Sequence, residues 1–490
     1  MLISVEGIAV AAALAILALV LRAGLASGLI GSQAFGATAV VTLPALGGAS
    51  PLVSAVFTVA FIAFAFLKVD VFRRLGSVFL KIRTAWVVLA FMFYSAFSAV
   101  VFPRLFAGGT NVFVASRERG GVFETPLSPV SSNISQAGYL VFSCLTFFAV
   151  CLLLTRRYRL NDVMRGFFLF AWLNAALGMI DFVGKYGGLG DVLAPIRSAN
   201  YALLTDVQMA GFARLAGGYS EASAFGAASL ACLAFSYTYW RRRRTRQSFW
   251  LTAITFFLLL ASTSTTAYAG LAILCLPVGF SMLRQLASRN TKQTDLLVIS
   301  VFLALVTGFM TAAVVRPQIV TPVIDLVDSA ILAKSGSESG QERTYWNAKS
   351  LQSLTHTAGL GVGLGSSRAS SWPIAVISQL GAAGFLLMTI QVLVIVRGMR
   401  NLPGRLEPRA ETAVASIRAC ALAGIVSTSL IGGNADPGTV FYVALSVIVV
   451  SRVHVAEYAK RMSEADQAQT MWVPADRGGR GIAPSRGFAF

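Results

Sequence analysis

The sequence predicts an all-α polytopic membrane protein of about 13 transmembrane helices, 12–14 allowing for ambiguous breaks, and three observations carry that prediction. Hydrophobic residues make up 56% of the 490 and charged residues only 12%, a balance that excludes a soluble globular chain. Apolar stretches near the ~20 residues that a helix needs to cross a bilayer recur along the whole length. Lysines and arginines gather in short connectors after every second stretch, as the positive-inside bias requires.

In order, the predicted spans lie near 4–22, 27–46, 50–67, 84–102, 136–155, 166–185, 222–240, 249–265, 267–283, 295–315, 371–396, 412–432 and 437–451. The first two, and the pair divided at 262–266, carry the ambiguity in number. Basic connectors at 68–83, 156–165, 241–246, 284–292 and 397–409 read as cytoplasmic, which places loops 103–136, 187–221 and 316–371 outside. The amino terminus is outside for thirteen spans and inside if the first pair is miscounted by one. No repeat or soluble domain interrupts residues 1–453, so they form one transmembrane domain. Residues 454–490 read as a cytoplasmic tail, and their polar composition, with Gly, Arg and Pro from Pro474 onward, predicts disorder. Val71, Phe72, Leu75, Val78 and Phe79 alternate with Arg73, Arg74 and Lys81, which fits an amphipathic helix on the inner surface or a plain basic connector. The first apolar run lacks a basic start and a cleavage site, so no cleavable signal peptide is expected.

The net charge of +19 follows from this topology and from attraction to anionic membrane lipids, so nucleic acid is not an expected partner. The cysteines, Cys144, Cys151, Cys232, Cys275 and Cys420, lie in apolar spans without metal or disulfide spacing and read as small core residues.

The longest polar interruption covers 316–371 and runs into a glycine-rich stretch, and chemistry is expected there. Outside arginines run against the positive-inside bias; they are Arg197, Arg214, Arg343 and Arg368. The last three adjoin apolar or glycine-rich sequence and read either as snorkelling anchors or as a cationic pocket for a lipid-linked diphosphate. A guanidinium suits that pocket because its planar fork donates two parallel hydrogen bonds to phosphate and keeps its charge. Gly359, Gly361, Gly363 and Gly365 alternate with Leu360, Val362 and Leu364, and no Walker A or dinucleotide fingerprint is present. The run reads as a tight turn that presents Ser366, Ser367 and Arg368, or as a flexible hinge before the next span. Acid or base candidates are Glu221, Glu342 and His356, with Asp206, Asp436 and Glu124 behind them. Glu221 sits at a span mouth, where partial desolvation raises a carboxyl pKa, or where it serves as the N-terminal charge of a helix. His356 titrates near neutrality if free and is otherwise a structural loop histidine. Asp181 and Arg418 are the remaining charges within spans, and Arg418 is placed to snorkel. No DxD or carboxylate cluster calls for a metal on the outside, so neither metal nor cofactor is expected.

Three places together resemble the bacterial O-antigen ligase and O-antigen polymerase superfamily. Arg214-Leu-Ala-Gly-Gly-Tyr-Ser-Glu221-Ala-Ser-Ala-Phe225 is similar to its arginine, glycine and Glu-Pro-Ser-like segment at a helix entrance. Ser262-Thr-Ser-Thr-Thr266 is similar to its serine-rich break between spans. Arg343-Thr-Tyr345-Trp346, then Gly361-Val-Gly363-Leu-Gly365 and Gln379-Leu-Gly381-Ala-Ala-Gly384, is similar to its outer loop and following helix. The resemblance covers roughly 214–384, and it departs from the family twice. The serine-rich break holds no arginine, and Ala369-Ser370-Ser371 stands where ligases carry a histidine.

The second departure favours a polymerase over a ligase that loads lipid A-core. The resemblance implies a GT-C-like fold with a helical outer loop, in the bacterial inner membrane with the site facing the periplasm. It implies inverting, metal-independent transfer of a glycan from an undecaprenyl-diphosphate-linked oligosaccharide to an acceptor sugar hydroxyl. Arg214, Arg343 and Arg368 would hold the diphosphate, and Glu221 or His356 would take the proton. Gly361, Gly363, Gly365, Ser366, Ser367, Tyr345 and Trp346 would position loop and glycan. A flippase and a chain-length regulator are the implied protein partners. The competing class, a lipid-linked oligosaccharide transporter, predicts charges at mid-membrane and repeat symmetry, which the sequence does not display.

Overall fold

A computed structural model describes residues 2–471 except 22–23, 45–47, 117–120, 157, 200–202, 206–207, 210 and, apart from a few isolated helical positions, 289–337. The protein is mostly helical. Its helices are α1 Val5–Val20, α2 Gly24–Gly31, α3 Val53–Phe66, α4 Val71–Lys81, α5 Arg83–Leu105, α6 Ser131–Arg156 and α7 Leu160–Tyr186. They continue as α8 Ala222–Arg243, α9 Arg246–Ala261, α10 Thr265–Ala287, α11 Glu338–His356, α12 Trp372–Arg397, α13 Pro408–Ile431 and α14 Thr439–Met471.

Among the described residues seven helices are long and apolar enough to cross a membrane, or eight if the bent α3–α4 pair is one span. They are α5, α6, α7, α10, α12, α13 and the first 26 residues of α14. The centre of the bundle is α8, which carries Arg241, Arg242 and Arg243 in its last turn and packs on α7, α9, α10 and α13. Lipid leaves little hydrophobic drive between helices, so close contact at small residues holds such a bundle together. A Cβ on Gly178 of α7 would come within 2.6 Å of the Phe225 ring of α8.

Several expected spans take another form. Residues 27–46 are not one helix: α2 is only eight residues, and a 3-10 turn at Ser32–Ala34 and irregular chain follow it. Ser27 bonds the Asp162 carbonyl near the start of α7, while the Ala37 amide bonds the Gly218 carbonyl, so the segment still runs along α7. Irregular backbone within a membrane bundle survives only where protein covers it, and residues 34, 35 and 37–39 of this stretch are buried. Helices α1, α3 and α9 have 16, 14 and 16 residues, too short to cross ~30 Å of hydrocarbon upright. The 295–315 span lies outside the described residues. The tail is helical as far as Met471, so disorder from 454 does not hold, and 472–490 lie outside the described residues. Cys275 is exposed, unlike the four buried cysteines.

Four of the basic connectors meet at one end of the bundle. Lys68 lies near Arg156 and Arg159, Lys81 pairs with Glu457 at 2.7 Å, and Arg242 pairs with Glu411 at 3.1 Å. At this end α4 turns 99° away from α3, burying Val71 and Val78 while Arg73 stays open, which makes it a true amphipathic helix.

The loops collect at the opposite end, and three antiparallel two-stranded ribbons there add β-structure to an otherwise helical fold. They are β1 Leu2–Ile3 with β2 Val41–Thr42, β3 Asn111–Ser116 with β4 Gly121–Pro126, and β5 Gln208–Met209 with β6 Phe212–Ala213. The amino terminus joins this end, because Ser4 bonds Ser198. In the larger ribbon Phe113 faces Glu124 across the register, and Val112, Leu127 and Val362 form a small core beneath it.

Candidate functional site

The site is assembled by three segments at the loop end: 212–221 before α8, helix α11, and the glycine run between α11 and α12.

The first segment is fastened by a buried ion-pair group. Oδ1 of Asp181 on α7 lies 3.2 Å from Arg197 and 3.4 Å from Lys185, and its Oδ2 accepts the Ala216 and Gly217 amides at 2.7 and 2.9 Å. Every nitrogen of the Arg197 guanidinium is used: Nε and Nη2 donate to the Gly217 carbonyl and Nη1 to Asp191. Lys185 donates to the Arg214 carbonyl at 2.6 Å. Arg197 and Asp181 are therefore structural, and Lys185 fixes the backbone of Arg214. The sequence hinted at this only through Asp181 and Lys185 being four apart on one helix.

Held in this way, Arg214 sits half-buried beside Glu221, Arg343 and Tyr268. Desolvation pulls its guanidinium below the usual value; Glu221 opposes that pull and the positive charge of Arg343 adds to it. Its Nε is shielded from solvent and bonds no described residue. A buried donor without a partner costs about 1–3 kcal/mol, so a fold that keeps one asks for an acceptor from elsewhere. Glu221 occupies the N-cap of α8 without capping it, and its Oε1 accepts from Ser223.

The serine-rich break between α9 and α10 lies under this cluster. Ser262, Thr263 and Ser264 are buried, and a Cβ on Gly226, one turn into α8, would meet the Ser264 side chain at 3.0 Å. Tyr268 donates back to Leu260 at 2.7 Å, closing the break.

The glycine run is a re-entrant segment wedged into a kink. Helix α12 breaks at Gly381, with φ 64° and ψ −170°, and a break frees the carbonyls before it. Val362 N bonds Ser378 O, Gly363 N bonds Gln379 O, both at 2.9 Å, and Tyr94 donates to Leu380 O. Gly361, Gly363 and Gly365 all have positive φ, and a Cβ on Gly363 would lie 2.7 Å from the Ser98 carbonyl of α5. Gln379, named in the sequence only as part of a motif, clamps the run by accepting from Gly365 N and donating to Ser367 O. Ser366 and Ser367 are buried and bonded to Asn133 and Phe113 N, so they brace the loop rather than face an opening.

What the run presents is Arg368. Its amide bonds Phe113 O at 2.9 Å, while its side chain is exposed and passes 3.2 Å from where a Cβ of Gly433 would stand. Arg343 shares a face of α11 with Asn347, four residues on, whose Oδ1 accepts Ser370 N at 2.8 Å. The same seam therefore carries Arg343 and the residues next to Arg368. No side-chain hydrogen bond or ion pair to a described residue engages Arg214, Arg343 or Arg368.

Tyr345 and Trp346 clasp the ribbon. Both pack on Phe113, with centroids 5.7 and 6.1 Å away, and Tyr345 donates to Glu124 at 2.6 Å. That bond and one from Asn111 hold the Glu124 carboxyl below its usual range. His356 lies at the far end of α11, bonded to Thr110 at 3.1 Å, about 20 Å along the helix from Arg343. Glu342 is exposed, Asp436 is held by Ser143 and Gly438 N, and Asp206 lies outside the described residues.

The chain matches no protein-family model and no curated protein.

Proposed function

We propose that the protein is a glycosyltransferase with a GT-C-like fold in the bacterial cytoplasmic membrane. It transfers a glycan from a polyprenyl diphosphate carrier to an acceptor sugar hydroxyl at the outer face, as a polysaccharide polymerase. The observation that supports this reading is the half-buried Arg214, which feels the charges of both Glu221 and Arg343 and whose shielded Nε has no partner among the described residues.

Two guanidiniums without acceptors among the described residues suit an anion of more than one charge, such as a diphosphate. In the reaction the acceptor oxygen attacks the anomeric carbon as the bond to the diphosphate oxygen breaks on the opposite face, which inverts the configuration. Negative charge grows on the leaving diphosphate, where Arg214 and Arg343 are fixed in advance, and Arg368 reaches it from the seam. Glu221 takes the hydroxyl proton; His356 is too distant on α11 to share the cluster. A flippase that delivers the lipid-linked glycan and a chain-length regulator are the partners this activity needs.

The test uses purified protein, a defined polyprenyl-diphosphate-linked repeat and no vesicles or ion gradient. Polymer together with free polyprenyl diphosphate is the expected outcome. Gradient-dependent movement of the intact lipid without new glycosidic bonds would instead assign a transporter.

A further inference from the structure

At the end of the bundle opposite Arg214, a cavity of about 370 Å³ is lined by Arg397, Arg400, Asn401 and Arg452. No carboxylate among the described residues pairs with any of the three arginines. Glu411 is paired with Arg242 and Glu457 with Lys81, while Glu407, in the same connector, is exposed and forms no ion pair with a described residue.

The cavity sits at the C-terminus of α12, where the helix dipole and free carbonyls would repel an anion. Here those carbonyls are already taken. Arg418 donates to Ile395 O and Val396 O, Gly398 N bonds Val394 O, and Arg452 donates to Gly398 O. Gly398 has φ 53°, and a Cβ there would lie 2.7 Å from the Arg418 Nε, so the stack of guanidinium on backbone is built in. Asn401, at φ 58°, lies in the turn that follows α12 and lines the cavity. Arg397 and Arg400 remain exposed, with side chains bonded to no described residue.

Apolar surface adjoins the charge. Leu386, Ile390 and Leu393, spaced by four and three residues, form an exposed stripe on α12 that leads away from the cavity, and Val396 extends it. A cationic cavity joined to an apolar track matches an amphiphile with a phosphate head.

We propose that this cavity binds the phosphate of an anionic glycerophospholipid, with acyl chain along the Leu386–Leu393 stripe. The site is separate from the Arg214 cluster and does not depend on the activity proposed for it. Arg397 and Arg400 supply the charge, and Arg452 and Arg418 neutralise the helix end that would otherwise exclude it.

The test is native mass spectrometry of the purified full chain, equilibrated with equal phosphatidylglycerol and phosphatidylcholine, beside the double variant Arg397→Gln, Arg400→Gln. The wild type should retain phosphatidylglycerol preferentially. The double variant should lose about 25-fold in retention, roughly fivefold for each arginine near the membrane surface. If that variant misfolds, Arg400→Glu alone carries the test, since the Arg400 side chain makes no bond to a described residue that would be lost. Equal retention of the two lipids, or unchanged retention in a folded variant, would overturn the proposal. A melting temperature raised by inorganic phosphate in the wild type alone, without lipid preference, would overturn the lipid assignment and leave a free-phosphate site.

Discussion

Two groups of arginine stand within the same loop end and differ in one respect. Arg197 has an acceptor for every guanidinium nitrogen, whereas Arg214, Arg343 and Arg368 have none among the described residues. In sequence all four are positive charge on the side that usually lacks it, and only the apolar or glycine-rich surroundings of the last three set them apart. The contrast separates fastening from function: a charge that the fold fully spends holds backbone in place, and a charge left over is available to a ligand. The two groups are also coupled, because Lys185 of the fastening group bonds the Arg214 carbonyl.

The largest effect should come from breaking the fastening. Asp181→Ala strands two buried cations and the Ala216 and Gly217 amides, and should destabilise the protein by about 3–5 kcal/mol in chemical denaturation of the purified protein. Next, Arg214→Ala or Arg343→Ala should leave stability near wild type while lowering polymer formation by about 10²–10³-fold in the purified assay. Gly363→Ala tests the wedge: with positive φ and the Ser98 carbonyl 2.7 Å from the new Cβ, it should cost about 1–3 kcal/mol and displace Arg368.

The smallest effect concerns the ribbon clasp. Tyr345→Phe should weaken it slightly, read as faster amide exchange in 111–116 and 121–126. Because the folded state lowers the Glu124 pKa, its contribution is present above the ordinary carboxylate range of about 4 and is lost as pH falls through the depressed value. Protection from exchange in the ribbon, relative to the intrinsic rate at each pH, should therefore fall only in acid, and the variant should lose the part of that dependence due to Tyr345 while the Asn111 bond keeps the rest.

Much of this was legible in the sequence. Long apolar runs such as 136–155 and 371–396 became α6 and α12, and the break at 262–266 fell where the serines and threonines put it. Hydropathy failed at 27–46 because apolar composition is the same for a continuous helix and for a short helix followed by covered irregular chain. Arg197 falls outside the predicted pocket, but its fastening role was not legible, since its carboxylates are 16 and 6 positions away and a sequence does not pair them. The glycine run was readable as a means of placing Arg368, but its dependence on the carbonyls freed at Gly381 is a tertiary match. The ribbon at 111–126 carried the β-forming run Val112-Phe113-Val114, a strand signal inside a segment that was read only as an outer loop.

The account turns on Arg343 being a spare charge. Its most direct test measures melting temperature and polymer formation side by side for wild type and Arg343→Gln. The prediction is a melting temperature unchanged within experimental error and turnover lowered by at least about 100-fold. Full turnover, or a loss of turnover that merely follows a large drop in melting temperature, would contradict it.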